Sequence, residues 1–232
     1  RGIAHDFNNI LMPITLNTEL ALHESAGMTD ISEYLRSVLE AVQRGRELVE
    51  QIHTFSRPEK QKQEPIRISP IIKKELELLQ RTFPENIDII EQIEDDADSF
   101  VKSNSIQIHQ VVTNLCKNAV QAMQENGGKL HIKLNRVEID KKTASSHPEL
   151  NPGPYLQLTV GDTGKGMAQA QMDRIFDPFY TTKARGEGTG LGLAVVHGIV
   201  KSHGGAVKVQ SEKGKGSVFN VFFPIHSSLS QA

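Results

Sequence analysis

The stretch IAHDFNNIL, residues 3–11, places a histidine, an acid and two asparagines in a segment whose apolar residues have helical spacing. A neutral imidazole carries a nitrogen lone pair, and an exposed histidine is substantially neutral at cellular pH, so His5 is a candidate nucleophile. Asp6 follows it, and Asn9 lies one helical turn further on the same face. The alternative is an ordinary surface or core histidine, and the rest of the chain must decide between the two.

Two asparagines stand in HQVVTNLCKNAVQAM, residues 109–123, an otherwise mostly apolar segment with helical spacing. Asn114 and Asn118 are four residues apart, so their amides project from one helix face. Asparagine is a mediocre helix former, and this pair suggests an oxygen ligand for Mg²⁺. The alternative is a pair of solvated or capping side chains.

Two glycine-rich segments could hold a nucleotide. In GDTGKGM, residues 161–167, the glycines let backbone approach a ligand, and Asp162 at the strand end can accept a hydrogen bond from an exocyclic amine. GEGTGLGLAVV, residues 186–196, leads four glycines into a helix, an arrangement that binds anions. No Gly-Lys-Ser/Thr follows, so it is not a P-loop, and the parallel βαβ units of a dinucleotide fold are missing.

Between these segments, IFDPFYTTKARGEG, residues 175–188, combines aromatic residues, a proline and Lys183. It predicts either a packed loop or a mobile lid over a nucleotide. GKGS, residues 214–217, predicts a tight turn between the last two strands.

The elements that must position these residues form two groups. Apolar stripes over residues 3–21 and 35–55 predict two helices, separated near Gly27, with Asp30 and Glu33 as a capping box for the second. A hairpin of two helices cannot bury both stripes alone, so pairing with a second copy into a four-helix bundle is expected. We predict domains at residues 1–57 and 66–226, a linker at 58–65 and a tail at 227–232.

The second domain is predicted to be an α+β sandwich, with helices segregated from a mostly antiparallel sheet. Ser69 and Pro70 should cap and open its first helix. Residues 141–154 are expected to form a flexible insertion. The other predicted helices cover residues 106–123 and 191–202, the latter ending at Gly204-Gly205, and the predicted strands cover 87–93, 129–137, 155–160, 206–211 and 217–223.

Composition excludes several classes of protein. With 232 residues and 38% hydrophobic content the chain can bury a core, and it contains neither a membrane-spanning run nor a signal peptide. A net charge of −2 with interspersed charges argues against nucleic-acid binding. A lone cysteine, Cys116, excludes a disulfide framework and favours a reducing, cytoplasmic setting.

The order of these motifs resembles that of the sensor histidine kinases. The asparagine helix, DTGKG, FDPF, GTGLG and GKGS are similar to the N, G1, F, G2 and G3 boxes of that family, and HDFNNIL resembles the H-box of its nitrogen-regulation-like and hybrid members. The resemblance covers essentially the whole chain. It implies a dimerisation and phosphoacceptor domain followed by an ATP-binding domain with the Bergerat fold of DNA gyrase and heat-shock chaperone ATPases.

The resemblance also implies a role for each motif residue. His5 would take the γ-phosphate of ATP, Asp6 would orient its ring, and Asn9 would align the water that hydrolyses a response regulator's aspartyl phosphate. Asn118 would bind Mg²⁺, and Asp162 would contact the adenine amino group. The other implied nucleotide-binding residues are Asn114, Gly164, Gly166, Phe179, Thr182, Lys183, Gly188, Thr189, Gly190, Leu191 and Gly192.

The implied protein is therefore a homodimeric kinase core that passes a phosphoryl group from His5 to a receiver domain of a response regulator. Gln121 replaces a base that many members carry, which shifts phosphate neutralisation towards Lys183 and Mg²⁺. Only four residues precede His5, so a sensor, with or without a membrane anchor, is expected upstream. Two rivals are another user of the same ATP fold, such as a serine-directed kinase or conformational ATPase, and a non-catalytic nucleotide-binding dimer module.

Overall fold

A computed structural model describes residues 3–24, 31–39, 42, 45, 63–95, 99–146, 149–182 and 189–226, with backbone alone for residues 3–10 and 146. The chain separates into two compact units, Arg1–Pro58 and Glu59–Ala232. The predicted stop at Gly27, the capping residue Asp30 and the predicted tail lie outside the described residues. Within the described ranges, no helix combines the length and apolar character needed to cross a bilayer.

The first unit contains helix α1, Ile3–Glu24, and helix α2, described over residues 31–39. A Cβ atom added at Gly45 would lie 3.7 Å from both methyl groups of Leu11, so the two helical segments pack closely. Helix α1 runs through Pro13, which has no N–H to donate to the carbonyl of residue 9. Just beyond it, the Thr15 and Thr18 hydroxyls donate to the backbone carbonyls four residues before each. Such bonds favour a bent helix.

Apolar side chains of this unit remain on its surface. They share helical spacing, with one stripe on each helix. The stripes consist of Met12, Leu16 and Leu20 on α1 and of Ile31, Tyr34 and Val38 on α2. An exposed apolar stripe on a small unit indicates a contact with another protein surface.

The second unit is built on a five-stranded sheet with strand order β2-β4-β5-β7-β6. Strands β2 and β4 are parallel and the other neighbours antiparallel, which confirms the predicted mostly antiparallel sheet. A separate antiparallel pair joins β1 and β3, each too short for the alternation to be visible in the sequence. The strands are β1 Glu64–Ile66, β2 Ile87–Ile93, β3 Val101–Ser103, β4 Gly128–Ile139, β5 Gly153–Asp162, β6 Ala206–Glu212 and β7 Gly216–Pro224.

Three helices of the unit cover one face of this sheet. The helices of the unit are α3 Ser69–Gln80, α4 Ser105–Ala122, α5 Lys141–Ser146, α6 Gln169–Met172 and α7 Gly192–Ser202. Alternate strand residues such as Leu158, Val160 and Val221 face α3, α4 and α7 and form the main core. Asp162 continues this alternation, so its carboxylate lies on the helix-covered side. The predicted α+β sandwich is confirmed.

Helix α7 ends as predicted. Gly204 has φ 70°, and its amide and that of Gly205 donate to the carbonyls of Lys201 and Val200. The prediction for α3 was partly wrong. Pro70 occupies the first turn, but Ser69 does not cap the helix, because its hydroxyl donates to Asp95 over 2.5 Å.

The expected flexible insertion at residues 141–154 was wrong for its described residues, 141–146 and 149–154. Residues 141–146 form α5, where the carboxylate of Asp140 accepts from the amide of Thr143 over 2.7 Å. Leu150 is buried with Tyr155 and Phe222 in a second apolar cluster on the other face of the sheet. Leu150 is held there because it covers aromatic surface that would otherwise face water.

Candidate nucleotide-binding site

Asp162 is a buried carboxylate at the end of β5, with 8% of its surface exposed. Its Oδ1 accepts from the amide of Gly164 over 2.8 Å, and Ser217 on β7 is its cross-strand partner. Burial raises the pKa of Asp162, and hydrogen bonding from Gly164 and Ser217 opposes the rise. The carboxylate is thus held in place beside the core, where it can accept a hydrogen bond from a ligand.

The loop after Asp162 lies against backbone on two sides. A Cβ atom at Gly164 would be 2.4 Å from the carbonyl oxygen of Ala122 at the end of α4, and one at Gly166 would be 2.0 Å from that of Glu212. The amide of Lys165 donates to the same Ala122 carbonyl over 3.1 Å. Only glycine permits these approaches, so the two glycines place the loop between α4 and the β6–β7 turn.

Asn114 and Asn118 lie on α4, both half-buried. A Cβ atom at Gly192, the first residue of α7, would stand 3.3 Å from Oδ1 of Asn114. The asparagine face therefore reaches the N-terminus of α7. The amides of the first turn of α7 have no acceptor within the helix and carry the positive end of its dipole, which suits a phosphate group.

The segment before α7 begins with packed aromatic side chains. The ring of Phe176 stacks on that of His197 with 5.1 Å between centroids, and the guanidinium of Arg174 lies 4.5 Å from the centre of the Tyr180 ring. This part matches the packed-loop alternative. Lys183 and the rest of the predicted lid through Gly188 lie outside the described residues.

Phe179 is the one non-glycine residue with positive φ in the described ranges, at 67°, and it is 64% exposed. Its amide donates to the carbonyl of Gly190 over 3.0 Å, and a Cβ atom at Gly190 would lie 2.4 Å from the Phe179 carbonyl carbon. Strained backbone of this kind clusters at ligand sites. Contact between these residues ties the FDPF segment to the glycine loop that leads into α7.

The β6–β7 turn packs against the loop that follows Asp162. Gly216 has φ 102°, and a Cβ atom there would lie 1.9 Å from the carbonyl oxygen of Asp162. The amide of Gly214 donates to the carbonyl of Lys165 over 2.8 Å. The GKGS turn therefore supports the Asp162 loop directly.

Gly216→Ala is expected to lower the free energy of unfolding by about 2–4 kcal/mol, because the methyl group meets backbone and the φ angle is unfavourable for alanine. Urea denaturation measures this. Gly198→Ala is the matched control, since Gly198 is exposed on α7 with open space around it, and that change should be neutral or stabilising by up to about 1 kcal/mol. Equal effects of the two changes would contradict the close approach.

The described site residues of the second unit fall into separate groups of contacts. Asp162, Gly164 and Gly166 lie between α4 and the β6–β7 turn, while Asn114 approaches the start of α7. Thr182 is exposed. Thr189 accepts from the amide of the buried Leu191 over 3.3 Å. His5, Asp6 and Asn9 lie in α1, in the other unit, where the backbone alone is described.

The state of Cys116 and the arrangement of possible metal-binding side chains bear on the chemistry that this site could perform. Burial raises the pKa of the Cys116 thiol to about 12, so this cysteine stays protonated and is not a nucleophile. No cluster of three or more His, Cys, Asp or Glu side chains that could hold a metal occurs among the described residues.

Sequence reasoning overlooked Ser211 and Ser217 as members of the site. Their hydroxyls lie 3.0 Å apart on neighbouring strands, next to Asp162. The final residue of GKGS was the available signal for Ser217. Ser211 had none, since it becomes its neighbour only through the pairing of β6 with β7.

The fold and this site define a class of ATP-binding protein. Residues 103–227 match the family described as histidine kinase-, DNA gyrase B- and HSP90-like ATPases, and residues 1–61 match the His Kinase A phospho-acceptor domain. Full-length ShkA solved in complex with AMPPNP has the same fold, with TM-score 0.65 and 22% identity over 96% of this chain and 47% of that one. The histidine kinase AdeS of Acinetobacter baumannii also has this fold, with TM-score 0.64 and 22% identity over 97% of this chain and 100% of that one.

Curated relatives agree along nearly the whole chain. The sensor kinase CckA of Brucella abortus (strain 2308) is 34% identical over 224 residues, which is 96% of this chain and 23% of CckA. The sensor histidine kinase ZraS of Escherichia coli (strain K12) is 30% identical over 234 residues, 97% of this chain and 44% of ZraS. This chain belongs to the sensor histidine kinase family. It spans less than half the length of these relatives.

Proposed function

We propose that the chain is the kinase core of a two-component sensor, in which a homodimer uses Mg²⁺-ATP to phosphorylate His5 and transfers the group to an aspartate of a response regulator. One observation carries the proposal: a buried carboxylate, an asparagine face and the N-terminus of α7 converge on the helix-covered side of the sheet. Residues 1–57 would serve dimerisation and phosphotransfer and residues 66–226 ATP binding, joined by the linker at 58–65 and followed by a tail at 227–232.

The residues of this candidate site would suit a purine nucleoside triphosphate. Asp162 would accept a hydrogen bond from the adenine amino group, and the close approaches at Gly164 and Gly166 would leave room for the base. Backbone amides from Gly190 to Gly192, with Thr189 and Lys183, would bind the phosphates. Thr182, Gly188 and Leu191 would complete the loop around them, with Phe179 at its edge.

The asparagine face fits Mg²⁺ bound mainly through the nucleotide. Asn118 would supply a neutral oxygen ligand, with Asn114 nearby, which suits an ion that retains waters and phosphate oxygens. When bound, Mg²⁺ neutralises charge on the phosphates. The absence of an acidic cluster among the described residues fits this weak protein contribution.

At the acceptor, a neutral nitrogen of His5 would attack the γ-phosphorus. A nitrogen–phosphorus bond forms, the bond to the oxygen bridging the β- and γ-phosphates breaks, and ADP leaves. Asp6 would hold the ring proton on the other nitrogen, so that the attacking nitrogen keeps its lone pair.

The exposed stripes of the first unit fit two kinds of protein contact. Met12, Leu16 and Leu20 follow His5 by 7, 11 and 15 residues and so continue the line of His5 along α1. This line would dock the receiver domain beside the phosphohistidine. Ile14, also exposed, lies on another side of α1 and would pack in the dimer bundle.

The proposal is tested by incubating the chain with γ-labelled ATP and Mg²⁺ and then treating the labelled protein with acid and with alkali. Label that is lost in acid and kept in alkali is expected, since a phosphorus–nitrogen bond is acid-labile. Acid-stable label would support a serine-directed kinase instead. Nucleotide binding without any label would support a non-catalytic module.

Asn9→Ala is expected to leave autophosphorylation within about twofold of the wild-type rate and to slow dephosphorylation of the regulator by about tenfold or more, because a positioned water is lost. Label decay from purified phosphorylated regulator measures the second rate. Asn17→Ala, an exposed asparagine further along α1, is the matched control. Equal loss of both activities in Asn9→Ala would contradict a separate role in hydrolysis.

A further inference from the structure

Two serine hydroxyls lie behind the carboxylate of Asp162. Ser211 on β6 and Ser217 on β7 are direct cross-strand partners, with 3.0 Å between their oxygens. Ser217 is in turn the cross-strand partner of Asp162, so its side chain lies on the same face of the sheet as that carboxylate and can donate to it. The three side chains thus form a row across three neighbouring strands.

The single hydroxyl proton of Ser211 has two possible acceptors, the carbonyl of Gly216 and the hydroxyl of Ser217. Its oxygen accepts from the amide of Met167 over 2.8 Å and lies 2.9 Å from the carbonyl oxygen of Gly216, to which it can donate. If its proton goes to Gly216, the proton of Ser217 turns to Ser211 and leaves Asp162. If its proton goes to Ser217, Ser217 is free to donate to Asp162. The position of one proton on Ser211 therefore changes the number of donors at the carboxylate.

Ser211 also anchors the loop that carries the other donor. Met167 ends the loop containing Gly164, whose amide donates to Asp162. Without the Ser211 oxygen, the Met167 amide loses its acceptor and the loop loses a tie to β6. Loss of the Ser211 hydroxyl would therefore affect Asp162 in two ways: through its hydrogen bond with Ser217 and through the loop that carries Gly164.

We propose that Ser211 is a positioning residue for base recognition: it sets the orientation of Asp162 towards the exocyclic amine of a purine nucleotide without contacting the nucleotide itself. This inference rests on the proposed function, because it assumes that Asp162 receives a hydrogen bond from the base. The ligand class that Ser211 selects is a purine with an amino group at position 6. Purines without that donor are disfavoured.

The test compares ADP with purine riboside 5′-diphosphate, which lacks only the amino group, by calorimetric titration of the full chain in Mg²⁺. Diphosphates avoid phosphoryl transfer during the measurement. Ser211→Ala should weaken ADP binding about tenfold, the size of one net hydrogen bond, and leave the analogue within about threefold of its wild-type affinity. The preference for ADP should fall accordingly. A merely structural role would weaken both ligands equally.

Conservative and matched variants complete the experiment. Ser211→Thr keeps the hydroxyl and should keep the wild-type preference, and Ser145→Ala removes a hydroxyl from exposed α5 and should change neither affinity. If Ser211→Ala does not fold, Ser211→Cys, with a weakly bonding thiol of similar size, should lower the preference in the same direction.

The outcomes distinguish a failure of the role of Ser211 from a failure of the proposed contact between Asp162 and the base. Equal wild-type affinity for the two ligands would show that Asp162 does not recognise the amine, and the assigned base contact would fail. A clear wild-type preference that persists in Ser211→Ala would overturn the role of Ser211 alone. Loss of preference in Ser211→Thr as well would also overturn it, because the hydroxyl would then not be the decisive group.

Discussion

Replacing His5 by glutamine is expected to remove essentially all incorporation of label from γ-labelled ATP while leaving ADP affinity within about twofold of wild type. Glutamine has polar atoms but no basic nitrogen lone pair, so it cannot form the phosphorus–nitrogen bond. Nucleotide binding is assigned to residues of the other compact unit and should not change. Filter-bound label after a fixed time and calorimetric titration with ADP measure the two properties separately.

His23→Gln is the matched control for His5→Gln. His23 is an exposed histidine in the last turn of the same helix, α1, and its replacement should leave labelling at the wild-type level. Label that persists in His5→Gln would move the acceptor to another residue. Loss of label in both variants would point to a general effect on α1 and would contradict a specific role for His5.

Replacing Asn118 by alanine is expected to reduce the initial labelling rate by at least about 100-fold at a Mg²⁺ concentration that saturates the wild type. The proposed Mg²⁺ site has few protein ligands, and removal of an amide oxygen leaves the phosphate charge poorly positioned for transfer. The rate of label incorporation, followed across a range of Mg²⁺ concentrations, measures the effect.

Two variants define the meaning of that result. Asn118→Asp keeps an oxygen at the same place and should retain more activity than Asn118→Ala. Asn135→Ala changes an asparagine of β4 whose amide donates to the backbone carbonyl of Arg136, and it should label normally. Wild-type labelling by Asn118→Ala with Mg²⁺ present would disprove the metal assignment.

The major elements could be predicted from sequence because their signals are local. Helical spacing of apolar residues predicted α4 and α7, and alternation predicted β2, β4, β5, β6 and β7 with boundaries within about two residues. Glycine at position 204 predicted the end of α7 because positive φ is a property of the residue itself. The motif order identified the family for the same reason, since the chemistry of each motif depends on neighbours within a few residues.

Other features depend on groups that are distant in sequence. Ser69 looked like a helix cap, but its hydroxyl bonds to Asp95, 26 residues away, and no local rule can weigh that competitor. Residues 141–154 looked flexible because they are polar and rich in turn formers. Leu150 nevertheless packs against Phe222, which lies on a distant strand.

The sequence alone was enough to assign the family and the order of the main elements and to propose the candidate residues, because local spacing and residue chemistry decide those. Only the tertiary structure decided how the residues meet. The cross-strand register places Ser211 and Ser217 beside Asp162, and the packing of α4 brings Asn114 to the start of α7. Such contacts arise from strand pairing and core packing between segments many residues apart, which no single stretch of the chain encodes.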